Sequence, residues 1–125
     1  MYQLIVRRKF DAAHYLPGYD GPCANLHGHT WRVDVMLQGS MLNDIGILVD
    51  FKDIKKQLDS ILPDHTCLNE EFFFPPTAER IAKYIYEELE VPDGCQLASV
   101  TVWESEDCGA RYSDAHAKKS EADRV

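Results

Sequence analysis

The stretch HGHTWRVDVMLQ, residues 27–38, carries the strongest signal for the fold of this chain because its polarity alternates along its whole length. One parity carries two histidines followed by apolar side chains: His27, His29, Trp31, Val33, Val35 and Leu37. The other parity carries mostly polar ones: Thr30, Arg32, Asp34 and Gln38. Because successive side chains of a strand point to opposite faces of a sheet, this pattern predicts a half-buried β-strand whose apolar face begins with two histidines.

A second alternating segment precedes this strand, from Gln3 to His14. Its apolar parity holds Leu4, Val6, Phe10 and Ala12, and His14 lies near the end of that face. Residues 15–24 contain two prolines and two glycines, which favour a loop. If the two strands pair as a hairpin, His14 lies at the same end of the sheet as His27.

The rest of the chain predicts two helices and two further strands. Asp50 is a good N-cap for a helix to about Leu62, with Phe51, Ile54, Leu58 and Ile61 as its apolar stripe, and Pro63 stops it. Thr77 can cap a second helix to about Leu89, with a buried stripe of Ile81, Ile85 and Leu89. Strands are predicted over Cys95–Ser105, with Ala98, Val100, Val102 and Glu104 on one face, and over Gly109–Asp114.

The order strand, strand, helix, helix, strand, strand predicts an α+β domain, with a four-stranded antiparallel sheet and two helices on one face. One domain is expected over residues 1–115. Residues 116–125 have no apolar period and are expected to form a polar, frayed C-terminal tail. The sheet would have two free edges, so we expect edge-to-edge oligomerisation into a ring or barrel.

Composition narrows the classes of partner. A net charge of −8 over 125 residues argues against nucleic acid, although Arg7, Arg8, Lys9 and Arg32 could form a local patch for a small anion or simply be solvated. No apolar run is long enough to span a membrane, and the first residues do not have the order of a secretion signal, so a cytoplasmic location is expected. The four cysteines form no C-x-x-C pair, which favours free thiols in a reducing compartment.

The histidines predict a zinc site. His27 and His29 point to the same side of their strand, and His14 is available from the neighbouring strand. Three nitrogen ligands suit Zn²⁺, and three protein ligands leave an exchangeable position of the catalytic type. The alternative is two ordinary, partly buried histidines, but imidazoles without partners on an apolar stripe would be costly.

Three other residues have chemistry that the pattern does not settle. Cys23 lies four positions before His27 and could be either a fourth, closing metal ligand or a base near the metal. The Asp64-His65 pair could orient an imidazole for proton transfer, or His65 could simply cap the first helix. Glu104, on an apolar strand face, either pairs with an internal arginine or binds a ligand edge with two N–H donors, as in a pterin or guanine.

Five motifs in order carry a family resemblance: Ala12-Ala13-His14, Cys23-Ala24-Asn25-Leu26-His27-Gly28-His29, Asp64-His65 with Leu68-Asn69, Pro76-Thr77-Ala78-Glu79, and Trp103-Glu104-Ser105. The chain resembles the 6-pyruvoyltetrahydropterin and 6-carboxytetrahydropterin synthases throughout, except in its tail. The resemblance implies the tunnelling fold, in which trimers close their sheets into a barrel and two trimers stack as a homohexamer.

The same resemblance assigns roles to residues. It implies that His14, His27 and His29 bind zinc and that Cys23 is the catalytic base. It also implies that Asp64 and His65 form the relay partner of Cys23 across a subunit interface. Glu104 would anchor the pterin ring of a pterin triphosphate substrate.

The spacing of three residues between Cys23 and His27 resembles the bacterial 6-carboxytetrahydropterin synthases. Those enzymes convert 7,8-dihydroneopterin triphosphate to 6-carboxytetrahydropterin, acetaldehyde and triphosphate, on the way to queuosine. The alternatives are a pyruvoyl-forming lyase, a pterin aldolase, whose members carry Glu at the position of Cys23, and a non-catalytic zinc or pterin-binding protein. Pro63 and Ser105 depart from the family pattern without removing a functional group.

Overall fold

The computed structural model describes residues 1–124, in which one sheet is covered by helices. The strands are β1 (Tyr2–His14), β2 (His27–Gly39), β3 (Thr66–Cys67), β4 (Gln96–Trp103), β5 (Gly109–Tyr112) and β6 (Lys118–Lys119). The α-helices are α1 (Phe51–Ile61), α2 (Leu68–Glu71) and α3 (Ala78–Glu88), and a 3₁₀ turn spans Pro22–Ala24. The predicted α+β class with a mostly antiparallel sheet is confirmed.

The strands lie in the order β3-β1-β2-β4-β5, and β6 also pairs with β4. All pairings are antiparallel except that of β3 with β1. The sequence predicts four of the six strands. The two that it misses, β3 and β6, are two residues long, too short for any polarity period to show.

The β1–β2 register confirms the predicted hairpin. His14 is the Cα partner of His27, and Ala12 is the partner of His29. The apolar side chains of both strands therefore lie on the same face of the sheet. Phe10 and Trp31 on that face are 2% and 0% exposed. All three histidines lie at one end of this buried face.

Both long helices begin where predicted. The Asp50 side chain accepts a hydrogen bond from Lys52 N at 2.9 Å, and the Thr77 hydroxyl accepts one from Arg80 N at 3.2 Å. The predicted α3 stripe is buried, but in α1 only the middle of the stripe is: Phe51 is 50% exposed. Phe51 is the first residue of α1, where the helix has not yet reached the core.

Strand β4 differs from the prediction in register and extent. It ends at Trp103, so Glu104 lies just beyond the strand instead of on its face. A β-bulge opposite Met36/Leu37 leaves Ala98 without a partner, and Leu97 takes the inward position with no exposed surface. A bulge adds one residue to one strand and so reverses the parity of the residues on one side of it.

The predicted fraying of the C-terminal tail is wrong for residues 118–124. Lys118 and Lys119 pair with β4, and Ser120 is buried. The ammonium of Lys118 donates to the carbonyl oxygens of Tyr86 (3.2 Å), Glu87 (2.8 Å) and Leu89 (2.8 Å). These carbonyls at the end of α3 lack helical partners, so the tail caps the helix that precedes β4.

Much of the β1 edge is open. On the side away from β2, β1 pairs only through Ala12 and Ala13, with β3. Within residues 1–124, the remaining β1 residues therefore have no strand partner on that side.

No helix in the same part of the chain combines the length and the apolar character needed to cross a bilayer.

Candidate metal centre and active site

His14, His27 and His29 converge where β1 ends and β2 begins. Their ring centroids are 4.6 Å apart for His14–His27, 4.8 Å for His27–His29 and 5.2 Å for His14–His29. One potential ligand atom from each ring, together with one from Glu104, lies within 4.8 Å of all the others. The structure thus brings together the three predicted zinc ligands and adds a carboxylate.

Backbone carbonyls set the tautomer of two of these rings. His14 Nδ1 lies 2.8 Å from Pro76 O, and His27 Nδ1 lies 2.7 Å from Asn25 O. A carbonyl oxygen only accepts, so each Nδ1 carries the proton and each Nε2 of the neutral ring keeps its lone pair. Such carbonyl contacts orient metal-binding histidines and raise their basicity.

The state of the free nitrogens fits a zinc ion. His27 Nε2 and His29 Nε2 are buried with no hydrogen-bond partner within the described residues. Burial lowers the pKa of His29, and the neighbouring His14 and His27 add to this, while Glu104 opposes it. A neutral, buried and unpaired imidazole nitrogen is costly by itself but is a good ligand for Zn²⁺.

Trp31 packs against the imidazole rings of His14 and His29. Its indole makes edge contacts with His14 at 4.8 Å and with His29 at 5.3 Å between ring centroids. It has no exposed surface, and its Nε1 donates to Ala12 O at 3.2 Å. The fixed indole therefore restricts two of the three imidazoles to orientations that face the centre.

Glu104 reaches the same point from the end of β4. Its Oε1 is 3.1 Å from His14 Nε2 and 3.0 Å from His29 Nε2, although the latter contact lacks hydrogen-bond geometry. The sequence offers an internal arginine or a ligand edge as its partner. In the structure its partners are the two histidines.

The Asp64–His65 pair is a separate group. Asp64 Oδ2 is 3.0 Å from His65 Nδ1, and Asp64 Oδ1 accepts a hydrogen bond from Asp11 N at 2.8 Å. The Asp11 N–H and His65 hold the pKa of Asp64 below its ordinary value, despite an opposing effect of desolvation. Asp64 therefore stays ionised and orients the His65 ring, as a relay requires.

His65 has an unusual backbone. Its φ is +58°, in the left-handed region that non-glycine residues seldom occupy, and its N–H donates to Asp11 O at 2.6 Å. His65 and His29 line one solvent-open depression of about 440 Å³. The Asp64–His65 pair is therefore exposed and lies beside the histidine group.

Cys23 lies in the 3₁₀ turn before β2 and is half-buried. Its thiol is not among the atoms that converge with the histidines, so the fourth-ligand interpretation of Cys23 has no support in residues 1–124. It also makes no side-chain hydrogen bond to Asp64 or His65 within this part of the chain. All four cysteines are free thiols, as expected.

The four basic residues Arg7, Arg8, Lys9 and Arg32 differ in their acidic neighbours. Arg7 and Arg32 both lie near Asp34, at 2.6 Å and 3.8 Å, and Arg32 also stacks over the Trp103 ring. Arg8 points to the helix side and pairs with Asp59 at 3.0 Å. Arg7, Arg8 and Lys9 nevertheless line one open depression together with Asp59, so a local site for a small anion there stays a prediction.

Comparison with known proteins identifies the family. A sequence profile described as 6-pyruvoyl tetrahydropterin synthase matches residues 3–115. The chain belongs to the 6-pyruvoyl tetrahydropterin synthase family. The match covers every element from β1 to β5, including the histidine centre and the Asp64–His65 pair, and stops before β6.

Curated members of the 6-pyruvoyl tetrahydropterin synthase family resemble the chain over most of its length. The 6-carboxy-5,6,7,8-tetrahydropterin synthase of Synechocystis is 37% identical, and the match covers 90% of this chain and 93% of that protein. The protein of the same name from Haemophilus influenzae is 28% identical over 91% of this chain and its own full length. The predictions of the family and of a lyase-type enzyme are confirmed.

Solved structures of the family confirm the fold. The 6-pyruvoyl tetrahydropterin synthase of Caenorhabditis elegans superposes with a TM-score of 0.78 at 25% identity, covering 91% of this chain and 96% of that one. The Plasmodium vivax enzyme of the same name gives a TM-score of 0.71 at 23% identity, with 90% and 97% covered. The chain therefore has the tunnelling fold of its family.

Proposed function

We propose that this protein is a zinc-dependent lyase converting 7,8-dihydroneopterin triphosphate to 6-carboxy-5,6,7,8-tetrahydropterin, with release of acetaldehyde and triphosphate. The observation that carries the proposal is the convergence of three imidazoles, in two of which a backbone carbonyl accepts the Nδ1 proton and leaves the lone pair on Nε2. The names of the curated relatives support the carboxy product.

The atoms of this reaction balance with one water. Elimination of triphosphate leaves two oxygens on the three-carbon side chain, and rearrangement moves the reducing equivalents into the ring, giving a tetrahydropterin with a dicarbonyl side chain. Water then cleaves the bond between the two carbonyl carbons, giving a carboxylate on the ring and free acetaldehyde. The pyruvoyl-forming alternative stops before the water enters.

Zn²⁺ bound by His14, His27 and His29 would polarise the oxygens of the substrate's three-carbon side chain. The C–H bonds next to those oxygens would then be more acidic. Cys23 takes a proton from the side chain, and the His65 imidazole returns protons while Asp64 holds it in orientation. Glu104 accepts hydrogen bonds from the N–H edge of the pterin. The reaction requires proton transfers at more than one carbon of the side chain, which suits a site with two groups that move protons, Cys23 and His65.

We infer that the working form is a homohexamer made of two trimers, in the cytoplasm and in the queuosine pathway. The open β1 edge supports assembly through strand pairing, because such an edge is normally covered. Assembly also allows Cys23 of one subunit to meet His65 of another. The exposed position of His65 supports this arrangement.

The non-catalytic alternative needs a metal site that Cys23 closes permanently. In that version Cys23 completes the coordination shell, and the separation of its thiol from the histidine group argues against it. No nucleic-acid or membrane partner is part of the proposal.

The decisive experiment is incubation of the zinc-loaded protein with dihydroneopterin triphosphate, followed by mass analysis of the pterin and an assay for acetaldehyde. We expect 6-carboxytetrahydropterin and acetaldehyde in equal amounts. A pyruvoyl pterin without acetaldehyde would establish the other lyase. An unreacted substrate with fully loaded metal would overturn the enzymatic proposal.

A further inference from the structure

We propose that Glu104 is a fourth ligand of the metal in the substrate-free protein, and that substrate binds by displacing it. This inference rests on the proposed function for the identity of the substrate, but not for the metal chemistry. It assigns Glu104 a role at the metal in addition to holding the pterin.

Distances are the first support. Glu104 Oε1 lies 3.1 Å from His14 Nε2 and 3.0 Å from His29 Nε2. Ligand atoms at about 2.0–2.1 Å from a tetrahedral zinc ion are roughly 3.3–3.4 Å from one another. The two distances from the carboxylate oxygen to the imidazole nitrogens are therefore close to those between neighbouring ligands of one zinc ion, and all four candidate ligand atoms lie within 4.8 Å of one another.

The second support is the pairing of the two ring nitrogens of His14. The Nδ1 proton of His14 is committed to Pro76 O, so the Nε2 of the neutral ring has a lone pair and no hydrogen. A carboxylate oxygen 3.1 Å away also presents lone pairs, and two acceptors repel each other at this distance. The ring is 1% exposed, and a cation between the two groups would be contacted by both the Nε2 lone pair and the carboxylate.

The third support comes from His29. Its Nε2 faces Glu104 at 3.0 Å without hydrogen-bond geometry and is buried. One shared proton cannot satisfy His14 and His29 together, whereas one cation at the centre contacts both nitrogens and the carboxylate. A metal therefore accounts for all of these contacts at once.

The consequence is a substrate-gated site. With three histidines and Glu104 bound, no ligand position of a four-coordinate ion remains for water. Glu104 lies just beyond the end of β4 and is one-third exposed, so its side chain is free to leave for a ligand with better donors. The N–H edge of a pterin offers such donors, and the position left at the metal is then available to side-chain oxygens.

The test is zinc affinity, measured by competition with a chromogenic chelator on metal-stripped protein reloaded with zinc alone. We expect Glu104→Gln and Glu104→Ala to bind zinc at least tenfold more weakly than the wild type. The matched control is Glu106→Gln, an exposed carboxylate two residues further along the same loop, which should bind zinc normally. Circular dichroism of the metal-free variants checks that each one folds.

A second measurement uses the wild type and Glu104→Gln loaded with Co²⁺. Loss of the carboxylate should change the visible absorption of the ion, and addition of dihydroneopterin should change the wild-type spectrum as the carboxylate is displaced. Unchanged zinc affinity and an unchanged cobalt spectrum in Glu104→Gln would overturn the proposal, even if pterin binding weakened. If Glu104→Gln binds zinc more weakly but the wild type fails to turn over the pterin triphosphate, the proposed function is wrong and the role of Glu104 at the metal stands.

Discussion

Asn69 holds Tyr15 by both of its backbone polar groups: Asn69 Oδ1 accepts from Tyr15 N and Asn69 Nδ2 donates to Tyr15 O, each at 2.9 Å. Tyr15 directly follows His14, so this clamp fixes the chain where β1 ends at His14. Asn69 belongs to a motif recognised in the sequence, but its role becomes visible only in the fold. An amide is suited to this because it carries a donor and an acceptor side by side.

Replacing Asn69 with alanine removes both hydrogen bonds. We expect Asn69→Ala to lower the free energy of unfolding by about 1–2 kcal/mol, with weaker zinc binding because His14 loses its neighbour's anchor. Urea unfolding and chelator competition measure the two effects. Glu70→Ala, at the exposed next position, serves as the control, and equal values for both variants would contradict the clamp.

Cys23→Ala separates catalysis from metal binding. Since the Cys23 thiol is not part of the histidine group, the variant should retain zinc with wild-type affinity. Its turnover should fall by at least about 10²-fold, as expected for loss of a positioned base. Metal content and product formation are measured on the same preparation. Full activity in Cys23→Ala would refute the assignment of Cys23 as the base.

A complementation experiment asks whether Cys23 and His65 of one site come from different subunits. Cys23→Ala and His65→Ala are each expected to be inactive, but random mixed oligomers would regain about a quarter of the wild-type sites if the residues pair across a symmetric interface. The two proteins are unfolded, mixed and refolded together, and the activity is compared with that of each refolded alone. No recovery would mean that His65 serves the centre of its own chain, whose depression it lines with His29.

Asp34 gives the stability a pH dependence of known sign. Burial alone would raise its pKa, but hydrogen bonds from Arg7 and Trp103 outweigh burial and hold the pKa of Asp34 below its ordinary value. The stabilisation is therefore fully present above about pH 3.9 and is lost as the pH falls through the lower, folded value.

The corresponding variant is Asp34→Asn. We expect it to lose about 1–3 kcal/mol of unfolding free energy at pH 7, with the difference from wild type shrinking below about pH 3.9. Urea unfolding at several pH values measures this, with the exposed turn residue Asp44 changed to Asn as the control. A difference that stays constant down to acid pH would show that charge is not responsible.

The contacts of Lys118 in the C-terminal tail predict an effect on stability. Lys118→Met should lower the free energy of unfolding by about 1–3 kcal/mol, because three carbonyls at the end of α3 lose a charged donor. Lys119→Met, at the exposed neighbouring position, should have little effect. If the tail were frayed as its composition predicts, the two variants would be equally stable.

The elements with a strong period were predictable. Alternation over β1 and β2 places His14, His27 and His29 on one face before any coordinates are considered, because parity alone decides the direction of a strand side chain. The capping residues Asp50 and Thr77 predict both helix starts for a similarly local reason. Errors occur where local rules fail: a bulge in β4, two-residue strands, and a tail whose partners are distant in sequence.

Local order in the chain is enough to place the three imidazoles on a common face, since strand parity and pairing depend on local order and the pattern of burial. Three further contacts are visible only in the folded chain: Pro76 O and Asn25 O select the histidine nitrogens that keep a lone pair, Glu104 meets the histidines, and Asn69 secures Tyr15. Most of these contacts join residues more than fifty positions apart, and no local pattern encodes them. They arise when helices and strands pack, because packing is what brings distant donors and acceptors within bonding range.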